Sequence, residues 1–187
     1  MQPFGPLRQI VDQIEHADVL DGTAEAIQRA GRAVLGNGSV RRLLTGVPIG
    51  HPLHPALVAV PIGSWLSASV LDLTGGDRTA ARRLIAFGCL TALPTAAAGA
   101  ADWLDTAGPE RRVGLVHAAL NDLALVIYLM SWRSRRRGHR SSGAALALIG
   151  TGALTASGWL GGHLAYSRGV GVELPAVPDV AGAPGTG

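Results

Sequence analysis

Four apolar segments, each about 20 residues long, constrain the fold of this chain more than any other feature. They cover residues 55–74, 84–103, 113–132 and 144–163; none of them contains arginine, and the chain has no lysine. At ~1.5 Å per helical residue, 20 residues cross the ~30 Å hydrocarbon core of a bilayer. A soluble four-helix bundle would need a polar outer face along each helix, which these segments lack. The sequence therefore predicts an all-α protein, a four-helix transmembrane bundle with the lipid bilayer as its first partner.

The flanking regions differ from this core and divide the chain into three parts. Residues 1–50 are predicted to form an extramembrane region of short N-terminal amphipathic helices, with a break near Asp21 and Gly22. Residues 51–172 form the four-span transmembrane domain. Residues 173–187 are rich in proline and glycine, which predicts a disordered tail. The apolar residues that recur at helical spacing in the first part are Leu7, Ile10, Val11 and Ile14, and then Ala24, Ile27, Ala30 and Val34.

Arginines predict the orientation of the spans. Eight of them lie in the first and third interhelical loops, whereas five lie close to the opposite ends of the spans. The positive-inside rule places arginine-rich loops in the cytoplasm, so both termini are expected to be extracytoplasmic. The run RSRRRGHR is then an ordinary cytoplasmic loop, and no nucleic-acid partner is predicted.

Four histidines, His51, His54, His117 and His163, stand at the ends of apolar segments. In four antiparallel spans, the start of the first and third and the end of the second and fourth share one membrane face. His54, Asp102, His117 and His163 occupy these places, and His51 precedes His54 by three residues in GHPLHP. Imidazoles at membrane depth usually mark a ligand, metal or proton site. The sequence thus predicts a histidine-rich site at one face.

Three chemistries are compatible with this site. Two imidazoles from different helices could bind haem b, with His51, His54, His117 and His163 as candidate cofactor ligands. His54, Asp102, His117 and His163 could instead hold Zn, Cu or Fe as a bare ion. The protein could also bind no cofactor and serve as a non-catalytic membrane scaffold or assembly protein whose histidines are structural. Haem ranks first because a bundle of four membrane helices is well suited to binding haem. The expected role is electron transfer, and no catalytic residue is assigned. A single cysteine, Cys89, excludes a disulfide within one chain, a cysteine-ligated iron–sulfur cluster and c-type haem attachment.

Four stretches are diagnostic in their order and spacing: GHPLHPALVAVPIGSWLSASVLDLTGG, AGAADWLDT, RRVGLVHAALN and GWLGGHLAYSRGVGV. Over residues 45 to 172 the chain resembles domain of unknown function 2231, a family of predicted integral membrane proteins in bacteria. The resemblance implies the bacterial cytoplasmic (inner) membrane, and the family's motif histidines match His51, His54, His117 and His163. Some relatives carry a Rieske iron–sulfur domain or are joined to cytochrome-like domains. The resemblance therefore implies a redox setting in which a separate Rieske-type or cytochrome protein is the partner. A transport role would require a homo-oligomer, because four spans alone would not make a pathway.

Overall fold

The computed structural model describes residues 5–36 and 38–172, and within these ranges the regular structure is entirely helical. Three α-helices precede the apolar core: α1 (Gly5–Glu15), α2 (Asp21–Leu35) and α3 (Ser39–Leu44). Four long helices follow: α4 (Leu53–Leu73), α5 (Arg78–Trp103), α6 (Gly108–Arg136) and α7 (Arg140–Arg168). Short 3-10 turns occur at Asp18–Leu20 and Val47–Ile49. The all-α prediction is confirmed, and the predicted tail at 173–187 lies outside the described residues.

The N-terminal region contains one more helix than the sequence pattern predicted. The two amphipathic patterns correspond to α1 and α2, and the chain breaks between them at the 3-10 turn that leads into Asp21. The additional helix, α3, has only six residues, SVRRLL. Such a short segment carries less than two turns of periodicity, so the pattern of apolar residues could not identify it.

Helices α4 to α7 are all long and apolar enough to cross a membrane. Each extends beyond its apolar segment, because local signals outside that segment set the ends. The carboxylate of Asp77 accepts a hydrogen bond from the Ala80 backbone N–H at 2.7 Å and caps the start of α5. Pro109 lies in the first turn of α6, where its missing N–H is not needed. Gly169, with φ of +68°, ends α7 in a left-handed conformation.

The four long helices form a closed bundle. Helix α4 packs along α5, and α6 packs along α7; contacts of α5 with α6 and of α4 with α7 complete the ring. Across this ring, α4 and α6 meet through side chains. Trp65 and Tyr128 stack with ring centroids 4.1 Å apart and an interplanar angle of 8°. One end of the bundle is closed by an ion pair between Asp72 and Arg135, whose side chains are 7% and 4% exposed.

Helices α1 and α2 cover the opposite end of the bundle, which we call the histidine end. Val11 of α1 is buried against Val113, Leu160 and Leu164 of α6 and α7. The Gln28 side-chain amide of α2 donates to the carbonyl oxygen of Trp103 at 2.9 Å. The N-terminal helices therefore form a cap that is packed and hydrogen-bonded to the bundle.

Candidate functional site

The two helical hairpins, α4–α5 and α6–α7, repeat the same internal contacts. His54, Trp65 and Asp72 of α4 stand 63 positions before His117, Tyr128 and Arg135 of α6. The residues that they contact on α5 have counterparts on α7 that lie 62 positions later. The pairs are Thr95 with Ser157, Gly99 with Gly161, and Gly88 with Gly150. This repeat makes His54 and His117 equivalent residues on facing helices. The two hairpins are therefore related by an internal symmetry.

His54 lies in the first turn of α4 and is oriented by α5. Its Nδ1 is 2.9 Å from the carbonyl oxygen of Thr95. A carbonyl oxygen can only accept, so Nδ1 carries the hydrogen and the neutral ring keeps the lone pair on Nε2. The ring lies against Gly99, where an added Cβ would stand 2.9 Å from the Cε1 and Nδ1 atoms. Gly99 therefore provides the space that the imidazole occupies.

Two residues before α4 begins, the backbone of His51 lies against Gly46. Gly46 has φ of +84°, and a Cβ there would collide with the carbonyl group of His51. Only glycine combines this conformation with such a close approach at no steric cost. Gly46 thus fixes the path by which the chain enters α4 and brings His54 to the bundle.

His117 repeats the environment of His54 in α6. Its Nδ1 donates to the carbonyl oxygen of Ser157 at 2.8 Å, and the Ser157 hydroxyl donates to the His117 carbonyl oxygen at 3.1 Å. Gly161 makes room for the ring, since an added Cβ would stand 2.8 Å from Cε1. The His117 Nε2 accepts a hydrogen bond from the Asn121 side-chain amide at 3.0 Å. The two imidazoles thus occupy equivalent positions of α4 and α6 at the histidine end.

His163 is part of an ionic contact between the cap and the bundle. Its Nε2 is 2.7 Å from a carboxylate oxygen of Glu15, and Arg168 pairs with the other oxygen at 2.6 Å. Burial raises the pKa of Glu15, but the hydrogen bonds from Arg168 and His163 outweigh it, and the net pKa is lowered. The structure therefore places His163 in a contact that holds α1, with its Nε2 committed to a carboxylate.

A second ionic contact attaches the cap to the start of α6. Asp21 accepts hydrogen bonds from Arg112 and Arg111, and these lower the pKa of its carboxyl group. Arg111 also pairs with Glu25 at 3.0 Å, and Arg41 pairs with Asp105. Arg41, Arg111 and Arg112 are thus engaged with carboxylates of the cap and of the α5–α6 connection.

The remaining two predicted ligands, His51 and Asp102, lie at the histidine end but apart from the imidazole pair. His51 is exposed. Asp102 is partly buried, and its Oδ2 has no hydrogen-bond partner within the described ranges; the chain after α7 approaches it at Gly171. No group of three or more His, Cys, Asp or Glu in residues 5–36 and 38–172 is arranged to hold a metal ion. The structure places His54 and His117 at equivalent positions of α4 and α6, and the ligand roles of all five residues stay predictions.

Comparison with known families establishes which family the chain belongs to. A family model described as "Predicted membrane protein (DUF2231)" matches residues 50–174. The chain belongs to the DUF2231 family. The match includes all four long helices of this DUF2231 protein and the four histidines of its motifs. No curated protein and no solved structure matches it.

Sequence reasoning identified the two imidazoles but missed the groups that hold them. The carbonyl oxygen of Thr95, rather than its hydroxyl, contacts His54. Gly161 makes room for the ring of His117. An alignment of the two hairpins would have shown the signal, because each histidine is followed at a similar distance by a hydroxyl residue and then, four positions later, by a glycine.

Proposed function

We propose that this DUF2231 protein binds b-type haem at the histidine end of its bundle, where His54 and His117 would hold the iron. The observation that carries the proposal is the pair of equivalent imidazoles on the facing helices α4 and α6. Each pair member donates its Nδ1 hydrogen to a backbone carbonyl oxygen of the neighbouring helix. Histidines that bind metals commonly make such a second hydrogen bond, because it fixes the tautomer and the direction of Nε2.

The number of available imidazoles favours haem over a bare ion. Haem iron has four porphyrin nitrogens and requires at most two protein ligands. A protein-bound Zn, Cu or Fe ion requires three or four, and no such group exists in the described part of the chain. The alternative set of His54, Asp102, His117 and His163 would therefore require the cap to rearrange, because His163 is bound to Glu15.

The hydrogen bond from Asn121 to His117 indicates how the second ligand is held without a cofactor. A side-chain amide donates to Nε2, so this nitrogen has the lone pair that a metal would use. Ligand binding would replace the Asn121 contact, while the bond from Nδ1 to Ser157 could stay in place. When bound, haem supplies one-electron transfer, and the role that we propose is passing electrons to or from a Rieske-type or cytochrome partner.

We place the histidine end on the extracytoplasmic side of a bacterial inner membrane, with both termini there. Eight arginines lie in the first and third interhelical loops at the opposite end, against five close to the histidine end. An excess of arginine in short loops is the feature that retains those loops in the cytoplasm. Labelling of single cysteines placed in the α4–α5 loop and in the cap, in intact cells, tests this orientation; labelling of the loop alone would reverse it.

A second candidate function is a scaffold whose histidines are structural. It is supported by the complete hydrogen bonding of His117, whose two ring nitrogens both have partners. Buried polar groups need such partners whether or not they bind a ligand. The scaffold proposal predicts a protein that folds normally and contains no haem or transition metal.

Haem content distinguishes the two functions. The full chain is expressed with haem supplied and purified in mild detergent, and spectra are recorded before and after reduction with dithionite. The haem proposal predicts about one haem per chain in the wild type and its loss in His54→Ala and His117→Ala. His139→Ala, at an exposed position in the α6–α7 loop, is the matched control and should keep the haem. A wild type without haem, or haem that persists in both site variants, would refute the proposal.

A further inference from the structure

Asp122 occupies the middle of α6 and faces away from the bundle. It is the fifteenth of the 29 residues of this helix, so it lies about 21 Å from either end at ~1.5 Å per residue. The side chain is exposed and has neither a hydrogen bond nor an ion pair with any residue in 5–36 or 38–172. The neighbouring residue Asn121 points inward to His117. An ionisable group therefore stands on the lipid-facing surface near the bilayer midplane.

Such a position is costly in a single chain surrounded by lipid. Carboxyl groups within membrane spans almost always face a protein interior or a water-filled cavity, and they pair there. Asp72, which also lies within an apolar segment, follows this rule because Arg135 pairs with it. Asp122 has no equivalent partner within the described bundle, so the group that satisfies it must come from outside the described residues.

We propose that the exposed face of α6 around Asp122 is a dimer interface, and that the occupant is a second copy of this chain. Copies of one sequence insert in the membrane with the same orientation, so a two-fold axis that relates them runs along the membrane normal. This axis brings residues of equal depth together, and Asp122 meets Asp122 of the second copy. A protonated carboxyl group has one donor and a free acceptor, so two such groups satisfy each other with two hydrogen bonds.

The residues around Asp122 fit a helix-to-helix contact. Ala118 and Ala119 lie one turn before it and are exposed, so two helices can approach closely there. Val126, one turn after it, is 54% exposed and supplies an aliphatic contact on the same face. A basic partner at this depth is not available from a second copy, because the apolar segment of every span lacks arginine and the chain has no lysine. The carboxyl pair is therefore the self-complementary solution that the sequence allows.

The first test measures dimerisation of the full chain in lipid vesicles by energy transfer between labelled copies at varied protein density. Asp122→Leu removes both hydrogen bonds and should weaken dimerisation about tenfold or more, as expected for the loss of interhelical hydrogen bonds in a membrane. Asp122→Asn keeps a donor and an acceptor and should stay within about threefold of the wild type. Because the side chain faces outward, both variants should have the wild-type helical content and thermal stability as monomers.

Cross-linking supplies the second test, with a control at matched depth. Val126→Cys should form a disulfide-linked dimer on oxidation in the membrane. Leu90→Cys, which is 65% exposed near the middle of α5, should not. Buried Cys89 is present in both variants. The proposal is overturned by a wild type that stays monomeric at high density, by an Asp122→Leu variant with wild-type affinity or a disrupted monomer fold, or by equal cross-linking at the two positions.

Discussion

The substitution Gly161→Ala tests how His117 is held. The added Cβ would stand 2.8 Å from Cε1 and 3.2 Å from Nδ1 of the imidazole, so the ring must move. Such movement stretches the 2.8 Å hydrogen bond from Nδ1 to Ser157. Overpacking in a well-packed interior costs about 1–3 kcal/mol, and the loss of one hydrogen bond costs about 1 kcal/mol.

Gly158→Ala is the matched control, because it lies on the same helix and its added Cβ would meet nothing within 4 Å. Both variants gain about 1 kcal/mol of helix propensity, which cancels in the comparison. The Gly161 variant should therefore be about 2–4 kcal/mol less stable than the Gly158 variant. The free energy of unfolding is measured by titration from mild detergent into denaturing mixed micelles, followed by circular dichroism. Equal stabilities of the two variants would refute the placement of His117 against Gly161.

Two further predictions concern the ends of the bundle. Arg135→Gln removes the bidentate guanidinium from the buried Asp72 and leaves Arg140, at 3.9 Å, as its cationic partner. Unfolding should therefore become easier by about 1.5–3 kcal/mol, whereas the exposed Arg83→Gln should stay within about 0.5 kcal/mol of the wild type in the same micelle titration. At the cap, the pKa of Glu15 is lowered in the folded state. The stability that the Glu15 carboxylate gives to the docked cap is therefore present above its ordinary pKa of 4.5 and is lost as the pH falls through the lower folded-state pKa. The protection factors of the α1 amides, which are corrected for the slower intrinsic exchange in acid, should therefore fall as the pH is lowered. A Glu15→Gln variant whose protection factors keep the same acid dependence would contradict this reasoning.

The long helices could be predicted because the bilayer imposes one dominant requirement. An apolar run such as 113–132 can satisfy its backbone in lipid only as a helix, so length and composition were sufficient. The ends of α6 were less predictable, because Pro109 and the arginines near Arg136 extend the helix beyond the apolar run. Helix α3 was missed because it is too short to show a period.

The candidate site could be predicted only in part. The topology of four antiparallel spans brings His54, His117 and His163 to one end of the bundle, and the structure places them there. The sequence could not show that His163 pairs with Glu15, because that contact joins residues 148 positions apart through the docking of α1. The sequence also could not predict that Asp122 faces outward without a partner. His117, Asn121 and Tyr128 recur on one side of α6 and define its inner face, but they do not show what contacts its outer face.

The most direct test of the central claim is low-temperature electron paramagnetic resonance of the oxidised protein purified with haem. Two axial imidazoles give a low-spin ferric signal, and we expect this signal at about one spin per chain. In His117→Gly the low-spin signal should be lost together with the haem, and haem supplied with imidazole should restore it. A high-spin signal in the wild type, or a low-spin signal that persists in both the His54 and His117 variants, would contradict ligation by this pair.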